Sequence, residues 1–173
     1  MYILNILLIV LLLPIGIAAL SIAPWMPMKS IDLERIHKLA NLKKGQFFYE
    51  IGFGDSRVCR YIAMKNPYAN IVGIEMAWPL YLFSKIKNWI YPISNLTLIY
   101  GNAFKINISK ADVVYTFAMQ KSLNFKLKEK FLKELKKGSK IISYAFYMYE
   151  WKGEKSIDKP SKKGSMTINV YRV

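Results

Sequence analysis

The chain has 173 residues, 53% of them hydrophobic, and a formal net charge of +15. This length suffices for one domain with a full core and excludes two such domains, and the lone Cys59 excludes an internal disulfide. The charge indicates an anionic partner, either nucleic acid or a lipid surface, unless the lysines only solvate the surface.

The chain begins with a long apolar segment. Residues 1–28 carry no charged side chain, and residues 2–22 would form a helix about 30 Å long, the thickness of a bilayer core. We predict a retained transmembrane anchor over residues 1–23 rather than a cleaved signal peptide, because no basic residue precedes the apolar run. Basic residues follow it closely, so the positive-inside rule predicts a single-pass membrane protein whose domain faces the cytoplasm. An anionic lipid surface is then the favoured partner for the excess positive charge.

The rest of the chain alternates predicted helices and strands. Residues 24–45 are expected to hold a connecting segment and a first helix, with Ser30 as its N-cap and Gly45 at its end. The elements that follow are a strand at 46–52, a helix at 55–65, strands and helices at 70–75, 79–90, 96–101, 112–118 and 125–138, and strands at 140–151 and 166–173. Residues 152–165 are expected to be a mobile surface loop. This order predicts an α/β fold with a parallel sheet covered on both faces.

The helix predicted over residues 125–138 is amphipathic. Its lysines are expected to face solvent, where they could press the domain onto anionic lipid. Its apolar side chains are expected to face the core; they are Leu127, Phe131, Leu132 and Leu135.

The stretch EIGFGD, residues 50–55, follows the first predicted strand. In a doubly wound sheet, ligands bind beyond the carboxyl ends of the strands where the strand order reverses, and this loop lies there. Gly52 and Gly54 allow a sharp turn and a close approach of the backbone to a ligand. A dinucleotide site requires a third glycine, in the pattern G-x-G-x-x-G, and Arg57 stands in its place. We therefore reject a dinucleotide site.

Polar residues at three successive strand ends favour S-adenosylmethionine instead. Glu50 precedes the first glycine by two residues and suits the cationic amine of that ligand. Glu75 ends the second strand, where a carboxylate can accept both ribose hydroxyls. Asn102 or the Ala103 amide follows the third strand, where an adenine edge would be bound. We expect no metal, and the predicted cofactor-binding residues are Glu50, Gly52, Gly54, Asp55, Glu75, Met76, Asn102 and Ala103.

Over most of residues 1–151, the chain resembles the membrane-anchored lysine methyltransferases that modify the ATP-synthase c-subunit and the adenine nucleotide translocator, and their archaeal and bacterial relatives. The resemblance is carried by the lone apolar span, the segment APWMPMKS, the loop FFYEIGFGDSRV, the stretch DVVYTFAMQ and a strand that ends at Trp151. It implies a Rossmann-like, seven-stranded methyltransferase sheet with a reversed last strand over residues 46–173. It also implies that Gly52 and Gly54 form the cofactor loop, that Glu75 binds ribose and that Asn102 lies beside adenine.

Three positions depart from the pattern of this family. Ser56 stands where glycine usually follows the loop aspartate, and Asn102 replaces an acid. Met76-Ala77-Trp78-Pro79 replaces the usual Leu-Asn-Pro-Trp. None of these changes removes a cofactor contact.

Methyl transfer to a lysine requires an in-line approach and a neutral amine, although the pKa of a free lysine is about 10.4. The site must therefore desolvate the amine or accept its proton, and aromatic walls would favour a cationic substrate. The substrate-side candidates follow the fourth and fifth strands; they are Gln120, Tyr144, Tyr147, Glu150 and Trp151, with Thr116, Tyr149 and the earlier Trp25 as further candidates.

These observations predict an S-adenosylmethionine-dependent methyltransferase that modifies lysine side chains of proteins at or near the membrane. Nucleic acid is not the expected substrate, because no Asn-Pro-Pro-Tyr-type motif follows the fourth strand. Two alternatives stay open. One is a basic RNA methyltransferase, which only the net charge supports, and the other is a membrane-anchored protein that binds S-adenosylmethionine without catalysis.

Overall fold

The computed structural model describes Leu12, Met28 and residues 30–173. The anchor predicted over residues 1–23 and the candidate Trp25 lie outside these residues, Leu12 apart. No helix in the described part of the chain is long and apolar enough to cross a membrane.

The described residues form a seven-stranded sheet and the helices that cover it. The first three helices are α1 (Ser30–Ala40), α2 (Arg57–Lys65) and α3 (Trp78–Ile90). A further helix, α4, begins as Gln120–Ser122, continues as a π-helix over Leu123–Leu127 and ends as Lys128–Glu134. The strands are β1 (Phe47–Ile51), β2 (Asn70–Glu75), β3 (Leu96–Tyr100), β4 (Val113–Thr116), β5 (Lys140–Tyr144), β6 (Lys155–Asp158) and β7 (Ile168–Arg172).

The strand order across the sheet is β3-β2-β1-β4-β5-β7-β6. Strands β1 to β5 pair in parallel, whereas β7 runs antiparallel to both β5 and β6. The predicted Rossmann-like methyltransferase sheet with a reversed last strand is therefore confirmed. The order reverses between β1 and β4, so the crevice at their carboxyl ends is the expected ligand site.

The sheet is buried between two apolar layers. Helices α1, α2 and α3 cover one face, where Ile36 and Ile62 pack with Phe48 and Tyr115. Helix α4 covers the other face, where Phe131 packs with strand residues of β1, β4 and β5. Because parallel strands with both faces covered are apolar throughout, the central strands read as continuous hydrophobic runs rather than as alternating ones.

Several predicted boundaries are wrong, and backbone conformation or tertiary contacts explain the following three. Helix α1 ends at Ala40 rather than at Gly45, because Asn41 is left-handed with φ 44°. Strand β5 ends at Tyr144 rather than at residue 151, because Ala145 is also left-handed with φ 67°. The predicted mobile loop at 152–165 contains β6, and Arg35 ties it to α1 through the carboxylate and backbone oxygens of Asp158.

Helix α4 spans residues 120–134 rather than the predicted 125–138, and both of its faces differ from the prediction. Leu132, predicted to face the core, is exposed. Lys130, predicted to face solvent, is buried and forms an ion pair of 2.6 Å with Glu134 and a hydrogen bond with the carbonyl of Ile106. A π-turn holds one more residue than an α-turn, so it rotates the face that follows it.

Candidate functional site

The glycine loop crosses the carboxyl end of β1 and turns into α2. Gly52 and Gly54 have φ values of 75° and 56°, a left-handed conformation that favours glycine. The Gly52 amide donates to the carbonyl of Ile74, which ties the loop to β2. The Phe53 ring is buried under the loop, beside Gly73.

Gly73 was not predicted from the sequence, and it leaves room for the Phe53 ring beneath the glycine loop. A Cβ on Gly73 would lie 2.7 Å from the Phe53 ring carbon Cδ1, so Gly73→Ala should displace this rigid ring and the loop above it. We expect a loss of about 1–3 kcal/mol in stability, as in overpacked cores, together with weaker cofactor binding. Calorimetric titration and thermal unfolding of the variant measure both. Gly138→Ala is the control, because Gly138 lies between α4 and β5 and its Cβ would meet nothing within 4 Å, while its φ of 85° still strains an alanine. Equal losses of affinity in the two variants would contradict this role of Gly73.

The contacts of Arg57 explain why arginine, and not the third glycine of the dinucleotide pattern, stands at this position. It is the first residue of α2, and its Nε donates to the Asp55 carboxylate at 2.9 Å while its Nη1 donates to the carbonyl of Met28 at 2.8 Å. Arg57 therefore ties the loop to the segment that precedes α1, a contact that glycine cannot make.

Ser56 occupies a position where the backbone favours glycine. Its φ and ψ are 61° and 17°, it is fully buried, and its Oγ donates to the carbonyl of Asp55. This left-handed conformation explains why the family that the chain resembles usually has glycine at this position.

Substitutions of Ser56 should show how much the left-handed backbone conformation at this position affects stability. Ser56→Gly should change the free energy of unfolding by no more than about 1 kcal/mol, because relief of the left-handed strain offsets the greater entropy of an unfolded glycine. Ser56→Val should destabilise the fold by about 2 kcal/mol or more, since a β-branched residue is a conformational outlier there. Denaturant unfolding compares the two, and a valine variant as stable as the glycine variant would contradict the strain.

Glu75 joins the glycine loop to the start of α3. One carboxylate oxygen accepts the Gly54 amide at 2.8 Å, and the other accepts the amides of Met76 and Ala77 at 2.9 and 2.8 Å. Three backbone donors fix the carboxylate in place and leave lone pairs for further donors. A rigid acceptor of this kind suits the two hydroxyls of a ribose.

Asn102 and Ala103 lie at the same edge of the sheet, just beyond β3. The amide of Gly101 donates to the carbonyl of Glu75 at 2.9 Å, and the Asn102 Oδ1 accepts the amide of Phe104 at 2.9 Å. The structure thus brings together the residues predicted to contact the ribose and the adenine. Their contacts with the cofactor stay predictions.

Glu50 is buried, with 3% of its surface exposed, beneath the same loop. Its Oε2 accepts the amide of Cys59 at 2.7 Å, in the first turn of α2. Burial raises the pKa of the Glu50 carboxyl to about 8, and the nearby carboxylates of Asp55 and Glu75 act in the same direction. The predicted contact of Glu50 with a cationic amine stays a prediction.

A rim of exposed side chains lies beyond β5, on the loop 145–151. Tyr147 and Tyr149 are exposed, with ring centroids 5.0 Å apart in an edge-to-face arrangement, and Glu150 beside them is exposed in a left-handed conformation with φ 48°. Gln120 donates to the carbonyl of Tyr147 at 2.6 Å. Four of the predicted substrate-side residues, including the further candidate Tyr149, therefore lie together.

Two residues that hold this rim were not predicted. Asn124 accepts the amide of Tyr149 at 2.6 Å, and the Lys128 ammonium donates to the carbonyl of Tyr149. With Gln120 they recur every four residues along α4, and this spacing of polar residues was the signal in the sequence. The π-turn lies in the same stretch, and π-turns are frequent at functional sites.

Tyr144 and Trp151 do not belong to the exposed rim, contrary to the prediction. The Tyr144 hydroxyl donates to the Asp32 carboxylate at 2.6 Å inside the core, and the Trp151 indole donates to the carbonyl of Arg172 at 3.0 Å. Tyr144, the last residue of β5, packs in the apolar layer that contains α1, and Trp151 packs in the layer on the other face of the sheet. Thr116, at the end of β4, is fully buried, and its hydroxyl has no hydrogen-bond partner among the described residues.

Comparison with known proteins decides the family. The ANTKMT methyltransferase domain matches residues 50–155, which include the glycine loop, Glu75, Asn102 and the rim. The chain belongs to the ANTKMT methyltransferase domain family. It is an S-adenosylmethionine-dependent methyltransferase, as the sequence predicted.

One relative and two solved structures match this ANTKMT-family chain over most of its length. It is 28% identical over 151 residues to a protein-lysine N-methyltransferase of Saccharolobus islandicus, covering 86% of this chain and 91% of the relative. An RNA methyltransferase of Salinibacter ruber, solved with S-adenosyl-L-homocysteine, superposes with a TM-score of 0.76 at 23% identity, covering 86% and 94% of the two chains. A precorrin-6y methyltransferase of Geobacter metallireducens superposes with a TM-score of 0.70 at 14% identity, covering 86% and 93%. At these identities the two solved structures support the fold of this chain but say nothing about its substrate.

Proposed function

We propose that this methyltransferase modifies lysine side chains of proteins at or near a membrane, from the cytoplasmic side. The main observation in support of lysine as the acceptor is the open rim beyond β5. There Tyr147, Tyr149 and Glu150 are exposed beside helix α4. The relative from Saccharolobus islandicus, a protein-lysine N-methyltransferase, supports the same acceptor. A long, flexible side chain can reach such a rim from outside, whereas a flipped base requires a deep pocket.

The glycine loop, Glu75 and Asn102 lie at one edge of the sheet, which we call the cofactor edge. Their functional groups suit the parts of S-adenosylmethionine. Glu75 offers a fixed carboxylate for the ribose, the glycine loop allows close approach, and the edge beyond β3 offers Asn102. The cofactor supplies an electrophilic methyl group on its sulfonium when bound. The protein then has to orient the two reactants in line, which fixed donors and a rigid loop achieve.

The acceptor amine must reach the site without its proton. We propose that the faces of Tyr147 and Tyr149 attract the lysine ammonium, that Glu150 accepts a hydrogen bond from it, and that its proton passes to solvent at the open rim before the amine attacks. The hydrogen bonds of Gln120, Asn124 and Lys128 with the loop backbone hold these side chains in place.

The membrane location rests on the sequence before α1. Only seven residues, 23–29, separate the apolar helix predicted at residues 2–22 from the first domain helix, and an extended tether of that length reaches little more than about 20 Å. The rim would therefore stay close to the headgroups, where integral proteins present their loops. Tethering raises the effective concentration of such targets without any new contact.

The acceptor is tested with the full chain in vesicles, labelled S-adenosylmethionine, and either membrane proteins or RNA. We expect label in methyllysine after hydrolysis of the protein. Label recovered only in RNA would overturn the lysine assignment. Tight cofactor binding with no transfer to either acceptor would identify a binding protein instead.

Deletion of residues 1–22 should leave the affinity for S-adenosylmethionine unchanged and lower the methylation of membrane proteins by about tenfold or more. The reason is that the cofactor edge is built from residues after Met28, whereas the tether acts only on the encounter with the acceptor. Calorimetric titration and label transfer measure the two effects. A truncated enzyme that methylates membrane proteins as fast as the full chain would remove the argument for the anchor.

A further inference from the structure

Helix α3 turns Ser84 and Asn88 toward the domain, beside the partly buried Tyr81, and leaves a row of large apolar side chains exposed to solvent. Ser84 is the buried residue of Trp78–Ile90, and its hydroxyl donates to the carbonyl of Gly54 at 3.3 Å. Asn88 accepts a hydrogen bond of 2.8 Å from Arg60 of α2. A surface helix of a globular protein normally has the reverse arrangement, with the apolar stripe facing the core.

The outward face of α3 is a contiguous apolar stripe. Its members are exposed by 46% to 83% of their surface; they are Leu82, Phe83, Ile86, Trp89 and Ile90. At 3.6 residues per turn they fall within about a third of the helix circumference. Exposed apolar surface of this extent marks a contact with a partner or a membrane.

The charged residues of α3 have one sign. Lys85 and Lys87 flank it on opposite sides, and the chain has no Asp or Glu between residues 76 and 111. Trp89 and the exposed Tyr91 lie at the carboxyl end of the helix. Aromatic residues of this type, and lysines flanking an apolar face, are typical of helices that lie in the interface of an anionic membrane.

We propose that α3 is a membrane-docking helix, whose apolar stripe enters the headgroup region of an anionic bilayer while Lys85 and Lys87 contact the lipid phosphates. Two other occupants fit the charges poorly. A second copy of this face would bring like charges together, and residues 1–28 of the same chain contain no acid to pair with the lysines. An anionic lipid offers both an apolar layer and the opposite charge.

Docking of α3 would also determine how the cofactor edge is oriented relative to the membrane. The helix begins directly after Glu75, Met76 and Ala77, which form part of the cofactor edge. A helix of this length spans about 20 Å, so an α3 that lies flat on the bilayer holds that edge of the sheet near the headgroups. This inference concerns the orientation of the domain and is independent of which acceptor is methylated.

The test uses the full chain, reconstituted in vesicles of phosphatidylcholine with or without phosphatidylglycerol. An environment-sensitive fluorophore is attached at Ile86→Cys, or at Leu132→Cys as the matched control, because Leu132 is an exposed leucine on the opposite face of the sheet. The native Cys59 is buried, and the unsubstituted chain controls for its labelling. Lipids brominated in the acyl chain quench a probe that lies in the bilayer.

We expect brominated lipid to quench the probe at residue 86 in anionic vesicles and to leave the probe at residue 132 unquenched. Lys85→Glu with Lys87→Glu should lower the ratio of docked to undocked domain by about fivefold or more for each lysine, whereas Lys133→Glu on α4 with Lys137→Glu just after it should not. A probe at residue 86 that is shielded from water but not quenched would mean that protein covers the stripe. That result, a water-exposed probe, or equal quenching at both positions would each overturn the proposal.

Discussion

Glu75→Ala should lower the affinity for S-adenosylmethionine by about a hundredfold or more. Hydrogen bonds to a charged group contribute about 1.5–3 kcal/mol each, and the carboxylate is predicted to accept two from the ribose. The substitution also leaves the amides of Gly54, Met76 and Ala77 without their acceptor, so the loop and the start of α3 lose their common anchor. Thermal unfolding should therefore show a loss of stability beside the loss of affinity.

Gly52→Val tests the same site without touching Glu75. Valine is strained at φ 75°, and its side chain fills the space into which a ligand must come, so cofactor binding should be abolished. Gly138→Val is the matched control, because Gly138 has φ 85° and open space around it, in the connection between α4 and β5. It should lose similar stability and keep its affinity.

Calorimetric titration of these variants decides whether the site is assigned correctly. Unchanged affinity in both Glu75→Ala and Gly52→Val would show that the cofactor binds elsewhere. Equal loss of affinity in Gly52→Val and Gly138→Val would show that the effect comes from destabilisation alone.

The grouping of the predicted cofactor-binding residues at one edge of the sheet was predictable because it depends on local patterns. Each parallel strand is a short buried run that ends at a polar residue, and the carboxyl ends of such strands meet at one edge of the sheet. Glu75 and Asn102 are therefore placed by the ends of β2 and β3 alone. Arg57 was visible as a departure from the glycine pattern, but its partners were not, because Met28 lies far from it in sequence.

The features that the sequence analysis missed depend on contacts between distant segments. Strand β6 has exposed side chains and no apolar alternation, and it is held by pairing with β7 and by Arg35. The aromatic run after β5 resembles a continuing strand, and only the left-handed Ala145 separates the buried Tyr144 from the exposed Tyr147. The sequence of α3 predicts a helix, but apolar residues on most of its sides leave open which face is buried.

Glu50 should make the stability of the free protein fall as the pH rises from about 4.5 to about 8. Burial raises the pKa of its carboxyl from an ordinary 4.5 to about 8, so in this range the folded chain holds a proton that the unfolded chain has released. One such proton gives a slope of up to about 1.4 kcal/mol per pH unit. Glu50→Gln keeps an acceptor for the Cys59 amide and does not titrate, so denaturant unfolding across this range should lose that slope.

The same carboxyl should release its proton when the cofactor binds. If Glu50 meets the cationic amine of S-adenosylmethionine, the opposite charge lowers its pKa, and at pH 7 a mostly protonated carboxyl ionises on binding. The binding enthalpy of the wild type should then depend on the ionisation enthalpy of the buffer, with up to one proton released. Glu50→Gln should show no such dependence and about tenfold weaker binding, because the amine loses its charged partner. A buffer-independent enthalpy in the wild type would mean that Glu50 stays protonated against Cys59 and supports the loop from beneath instead of contacting the amine.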